Sequence, residues 1–94
     1  FEGARRAWTK AKEDAGIVID DLDLIETHDC FTVAEMIEYE AMGLAEPGQG
    51  WRVAREGQSS RGGRLPVNLS GGLKSRGHPL GATGVSQHVM AAMQ

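Results

Sequence analysis

Apolar and polar residues recur along this chain with a helical period in its first part. Between Ala4 and Ala15 the apolar residues follow steps of three and four, which is typical of one face of an amphipathic helix. Gly16 suits the C′ position of that helix, because glycine adopts the left-handed conformation without strain. The pattern therefore predicts a helix over residues 4–15.

A strand and a second helix are predicted next. Residues 22–27 carry apolar side chains on both faces of an extended run, as in a buried strand. Thr32 and Glu35 have the spacing of a capping box, and the periodic apolar residues after them predict a helix that Gly43 ends.

The second half of the chain is rich in glycine and polar residues. Residues 45–64 surround a lone Trp51 with Gly, Gln, Ser and Arg, which predicts a long surface loop. Residues 65–69 predict a second short strand, and a third helix is predicted from Pro79 to the last residue.

The order α-β-α-loop-β-α predicts an α/β fold in which helices and a sheet form layers. Two strands do not make a stable sheet, so we expect further strands from residues outside this chain. Both ends of the chain also lie in segments predicted to be helical. We therefore expect residues 1–94 to be a fragment of a larger domain, lacking its final strands.

Composition limits the classes of function. The net charge is -3 at pH 7, so no basic surface indicates nucleic acid or an anionic membrane as a partner. No apolar run is long enough to span a bilayer, and no secretory signal is present. The single cysteine cannot form an internal disulfide, which indicates a reducing compartment and predicts a cytoplasmic protein.

That cysteine lies beside a histidine, just ahead of a predicted helix. Because side chains alternate along an extended chain, we expect His28 and Cys30 to point one way and Asp29 the other. The positive end of the helix dipole favours a thiolate, so Cys30 is a candidate acid or base. The alternative is a buried structural cysteine, since one cysteine near one histidine is a weak motif.

A second histidine stands where the last helix is predicted to begin. The residue before a proline is extended, which places His78 just outside that helix, where the dipole favours the neutral imidazole. Such a ring can accept a proton from a thiol or donate to an oxyanion. Gly77, Gly81 and Gly84 leave backbone N–H groups open to a ligand, although glycines at a helix start also serve tight packing alone.

The spacing of these residues excludes several kinds of site. The glycines match neither the dinucleotide fingerprint nor the P-loop. The histidines and the cysteine match no common zinc site, so we expect no metal. His88 has no evident partner and is expected in the core or on the surface.

Three segments together resemble a known family. They are Leu24–Phe31 (LIETHDCF), Asn68–Leu73 (NLSGGL) and Gly77–Gly84 (GHPLGATG). They resemble the C-terminal half of thiolases, in consistent order over nearly the whole chain. The His-Asp-Cys-Phe form is similar to the sterol-carrier-protein type of thiolase, whereas Asn-Glu-Ala-Phe is commoner in the superfamily.

The resemblance implies an acyltransferase of lipid metabolism that makes or cleaves 3-oxoacyl-CoA, as in fatty acid β-oxidation. Coenzyme A thioesters would be its substrates, with no permanently bound cofactor. Thiolases have two similar layered α-β-α halves, form dimers or tetramers, and bind the pantetheine arm in a tunnel. Residues 1–94 would be a fragment of the C-terminal domain, in a peroxisomal protein if the source is a eukaryote.

The resemblance also implies roles for single residues. His78 matches the histidine that activates the nucleophilic cysteine and helps to bind the enolate oxygen. His28 stands where the commoner type has an asparagine serving that oxyanion hole. Cys30 matches the acid/base cysteine of this subtype. Phe31 and Gly77 are expected to contact the substrate, Phe31 in the pantetheine tunnel.

The nucleophilic cysteine itself is not in this chain, which has one cysteine. We therefore expect the 94 residues alone to be inactive and the complete protein to be the enzyme. The alternative is a non-catalytic thiolase-like protein that binds acyl-CoA or lipid, or supports a partner subunit. A third interpretation is a β-ketoacyl synthase or a retro-aldol relative. The Cys30 pattern argues against it, because such an enzyme would not need this cysteine.

Overall fold

Helices form most of the regular structure in this computed structural model, which describes all 94 residues. None of them has the length and apolar character needed to cross a bilayer. The five α-helices are α1 (Glu2–Ala15), α2 (Thr32–Met42), α3 (Gly50–Arg55), α4 (Gly72–Arg76) and α5 (Thr83–Met93), with a 3₁₀ helix at Ile19–Asp21.

The two helices predicted in the first half of the chain are confirmed as α1 and α2. Each ends at a left-handed glycine, with φ 67° at Gly16 and φ 84° at Gly43. The predicted capping box is wrong. Thr32 is already the first helical residue, the N-cap is Phe31, and no side chain caps the helix.

The two predicted strands meet in a single parallel bridge between Ile25 and Val67. The Ile25 N–H donates to the carbonyl of Pro66 at 2.9 Å, and the Asn68 N–H donates to the carbonyl of Ile25 at 2.8 Å. The next donor, the Thr27 N–H, goes to the side-chain Oδ1 of Asn68 at 2.8 Å. Asn68 has φ 53°, so the backbone turns away there and regular pairing stops. This chain alone therefore builds a helical unit with one bridge.

The predicted surface loop over residues 45–64 contains a helix, so that prediction was wrong in part. Within α3, Val53 is 1% exposed and lies in the core. A Cβ added at Gly50 would overlap the carbonyl oxygen of Met36, so glycine allows α3 to approach α2 closely. The core cluster consists of Ile25, Tyr39, Met42, Leu44, Val53, Leu65 and Val67.

The last predicted helix begins later than expected, and a short helix that was not predicted precedes it. α4 ends at Gly77, where φ is 84° and ψ is 169°, and α5 begins at Thr83 instead of Pro79. His78 therefore lies in a link between two helices, several residues before α5. Because α5 begins later than predicted, His78 does not lie at its N-terminus, and side chains of the link and of α5 form its surroundings.

Candidate functional site

Two histidines that are distant in the sequence touch each other. The ring centroids of His28 and His78 lie 4.8 Å apart, with the ring planes at 77°, so the contact is edge-on. His28 follows the Ile25–Val67 bridge, and His78 lies between α4 and α5. The fold brings together the two rings that the sequence singled out.

Cys30 has an exposed thiol, so it is not a buried core residue. It lines a groove of about 440 Å³ between the start of α2 and α4, and His78 lines the same groove. The other lining residues are Asp29, Phe31, Thr32, Glu35, Gly71, Leu73 and Lys74. The thiol and one of the two imidazoles therefore face the same open space.

Asp29 holds the segment that carries Cys30 against α4. Its Oδ1 accepts the backbone N–H of Leu73 at 2.8 Å. A Cβ added at Gly72 would overlap the Asp29 carboxylate, and Gly72 has φ 63°, so glycine is required at that position. The predicted alternation is wrong at Asp29, which shares the groove with Cys30, because the chain bends at Cys30 and Phe31.

Thr83 fixes the ring of His78 and was missed in the sequence. It is 5% exposed, and its hydroxyl lies 2.9 Å from Nδ1 of His78 and 3.0 Å from the carbonyl of Pro79. When the hydroxyl donates to Pro79, Nδ1–H donates to the hydroxyl and Nε2 is free to accept a proton. When the hydroxyl donates to Nδ1, Nε2–H is a donor. One ring orientation thus serves both tautomers.

The sequence profile of the thiolase C-terminal domain-like family matches residues 1–94. The chain belongs to this family. It is 46% identical to bovine sterol carrier protein 2 over 89 residues, which cover 95% of the chain and 16% of that protein. It is 48% identical over 84 residues to an acetyl-CoA acetyltransferase of Methanothermobacter thermautotrophicus, covering 89% of the chain and 21% of the relative.

A third relative is the benzoylsuccinyl-CoA thiolase subunit BbsB of Thauera aromatica, 40% identical over 82 residues, with 87% of the chain and 21% of that protein covered. The chain thus spans 16% to 21% of the length of these three relatives. The resemblance to thiolases and to the sterol-carrier-protein type is confirmed.

The two substrate-contact candidates of this thiolase domain are placed differently. Phe31 is 71% exposed and lines the groove beside Cys30. Gly77 caps the end of α4 and does not line the groove. Its role in binding stays a prediction.

His88 is exposed on α5, and its Nδ1–H donates to the carbonyl of Gly84 at 2.7 Å. This contact lies within its own helix and away from the groove. The His, Cys, Asp and Glu side chains of the thiolase domain form no group of three or more that could hold a metal ion.

An acidic residue on α2 supports the segment that leads to His28. The Thr27 hydroxyl donates to Oε2 of Glu38. Burial raises the pKa of Glu38, and the hydrogen bond from Thr27 opposes that shift. At the next residue of the helix, burial and the hydrogen bond to Glu35 raise the pKa of Tyr39.

Proposed function

We propose that the complete protein containing this chain is a thiolase-type acyltransferase that forms or cleaves 3-oxoacyl-CoA. The observation that carries the proposal is the contact between His28 and His78 beside the groove that holds Cys30. Similarity to an acetyl-CoA acetyltransferase and to a benzoylsuccinyl-CoA thiolase subunit supports acyl-CoA as the substrate class.

In the complete protein, we propose that residues 1–94 form part of the C-terminal domain. The single parallel bridge between Ile25 and Val67 supports a short parallel sheet at this position. Further strands from outside the chain would extend it into the layered α/β arrangement, since a sheet needs more than two strands for stability.

Cys30 acts as the acid and base in the proposed reaction. In condensation, its thiolate removes a proton from the α-carbon of acetyl-CoA and becomes a thiol. The enolate oxygen then accepts hydrogen bonds from His28 and from His78 in its Nε2–H form. A single donor to such an oxyanion contributes about 3 kcal/mol in another enzyme. In thiolysis the same thiol returns the proton to the enolate carbon.

The carbon–carbon bond forms on an acyl group carried by a second cysteine outside this chain. The enolate carbon attacks the thioester carbonyl, the carbon–sulfur bond breaks, and the thiolate of that cysteine leaves. Before acylation, Nε2 of His78, in the Nδ1–H tautomer that Thr83 also allows, accepts the proton of the same cysteine. When the cysteine thiolate takes the acyl group from acyl-CoA, the carbon–sulfur bond to coenzyme A breaks, and the imidazolium gives this proton to the departing thiolate. The isolated 94-residue chain lacks this nucleophile and is expected to show no turnover.

The test is thiolysis of acetoacetyl-CoA by the full-length protein and by three variants. We expect Cys30→Ala and His78→Ala each to lower kcat by about 100-fold or more, the usual effect of losing a general acid or base. His88→Ala is the matched control, because this exposed histidine lies outside the groove and its hydrogen bond is within its own helix, and it should keep the wild-type rate.

Wild-type rates in both Cys30→Ala and His78→Ala would contradict the proposed roles. A full-length protein that binds acyl-CoA or lipid without turnover would favour the non-catalytic alternative, which the similarity to a sterol carrier protein also accommodates. We also propose a homodimer or homotetramer in the cytoplasm, or in the peroxisome of a eukaryote, on the resemblance alone.

A further inference from the structure

An ion pair outside the groove connects the two segments that carry the histidines. Glu26 stands two residues before His28, and Arg76 stands two residues before His78. Nη2 of Arg76 lies 3.1 Å from Oε2 of Glu26. The Glu26 side chain is 1% exposed and that of Arg76 is 15%, whereas every side chain of the other four ion pairs is at least 54% exposed.

Arg76 donates to three separate parts of the fold. Its Nε donates to Oγ of Ser70 at 2.9 Å, its Nη1 to Oγ of Ser86 in α5 at 2.6 Å, and its Nη2 to Glu26. The guanidinium is planar and its donors have fixed directions, so these bonds set the relative positions of the groups that accept them. Of the three acceptors, Glu26 precedes His28, and the two serines lie on either side of His78 in the sequence.

Both carboxylate oxygens of Glu26 accept hydrogen bonds from groups other than Arg76. Oε2 accepts from Oγ of Ser70 at 2.7 Å, and Oε1 accepts the Ser70 N–H at 3.2 Å and Nε2 of Gln94 at 2.8 Å. A buried carboxylate with this set of partners has one well-defined position. The pair and its partners therefore form a rigid link between the segment that follows Ile25, α4 and α5.

We propose that Glu26 and Arg76 are positioning residues for the two histidines, an inference that rests on the proposed function. A buried ion pair is weak evidence for stability, because apolar replacements of both partners are often as stable. This pair fixes the distance between two chain segments, each two residues from a ring, and so maintains the 4.8 Å separation of the centroids. A misplacement of about 1 Å costs about 100-fold in rate.

The experiment compares Arg76→Met, Glu26→Gln and the double variant in the full-length protein, with kcat, KM and thermal unfolding measured for each. We expect kcat of acetoacetyl-CoA thiolysis to fall by about 10- to 100-fold, with KM changed by less than about threefold. Each single variant leaves the other member of the buried pair without its partner, so we expect its Tm to fall. In the double variant neither member is left unpaired, so we expect Tm to recover while kcat stays low.

Arg64→Met is the matched control, because it breaks the exposed pair with Asp20, whose atoms are 2.8 Å apart. It should leave kcat and Tm close to the wild-type values. A double variant that regains both Tm and kcat would show that the pair acts through folding alone, which overturns the proposal. Wild-type kcat in Arg76→Met would overturn it as well.

A crystal structure of the full-length double variant gives a reading that does not depend on activity. Centroids of His28 and His78 farther apart than in the wild-type protein support positioning, and an unchanged separation refutes it. If the wild-type protein shows no turnover, the proposed function fails, and this distance alone decides whether the ion pair positions the rings.

Discussion

The buried hydroxyl of Thr83 lies 2.9 Å from Nδ1 of His78. The helix end was expected to control this histidine, but α5 begins at Thr83 itself, and the contact comes from a side chain in its first turn. A hydroxyl can donate or accept, so it orients the imidazole without restricting it to one tautomer. Nε2 is left directed away from the threonine and available for proton transfer.

Replacing this hydroxyl should impair the reaction more than the fold. We expect Thr83→Val in the full-length protein to lower kcat of acetoacetyl-CoA thiolysis by about 10- to 100-fold, the size of effect seen when metal-bound histidines lose the partner that orients them. Thr83→Ser keeps the hydroxyl and should stay within about threefold of the wild type. Equal rates for the two variants would show that the hydroxyl does not orient the ring.

Because Val53 of α3 is buried in the core, we expect α3 to contribute to the stability of the fold. Val53→Ala should lower the free energy of unfolding by about 2 kcal/mol, since the 1% exposed side chain leaves a cavity when truncated. Val33→Ala is the control, because Val33 is exposed on α2, and it should change stability by less than about 0.5 kcal/mol. Denaturant unfolding measures both, and equal effects would contradict the placement of α3.

The approach of α3 to α2 depends on Gly50. Gly50→Ala should cost about 1 to 3 kcal/mol of stability, because the added Cβ overlaps the carbonyl oxygen of Met36 and the helices must separate. In Gly3→Ala the new Cβ meets no neighbour, and the variant should gain up to about 1 kcal/mol from helix propensity. Thermal unfolding of the two variants should shift in opposite directions.

The raised pKa of Glu38 predicts how stability changes with pH. Because burial raises the folded-state pKa above 4.5, the folded protein binds a proton more readily, and stability falls as pH rises from 4.5 through the folded pKa. Glu38→Gln removes this penalty and keeps an acceptor for Thr27, so it should raise Tm at neutral pH. The gain should shrink when Tm is measured below pH 4.5, and a gain that grows on acidification would be contrary evidence.

Local signals in the sequence were sufficient for the first two helices, and they singled out three candidate residues of the site. Apolar periodicity and the glycines at Gly16 and Gly43 predict α1 and α2, because both signals act within a few residues. His28, Cys30 and His78 stood out by residue type and neighbours. Their meeting in space was an expectation that needed the fold.

The missed features depend on partners that are far away in the sequence. A helix as short as α3 does not repeat its apolar face, so its buried valine resembled a loop residue. The strands shrink to a bridge because pairing partners, not propensity, determine strand length. The link from Arg76 to Glu26 joins residues that no local pattern connects.

The side chain of Asn68 influences the path of the backbone that leads to the groove. By offering its amide oxygen to the Thr27 N–H, it takes the place that a further backbone carbonyl would have in the ladder. The chain after Thr27 is thereby released from β-pairing, and the residues that follow adopt the bend that turns Cys30 toward solvent. One amide side chain thus lies at the border between the paired backbone and the segment that exposes Cys30.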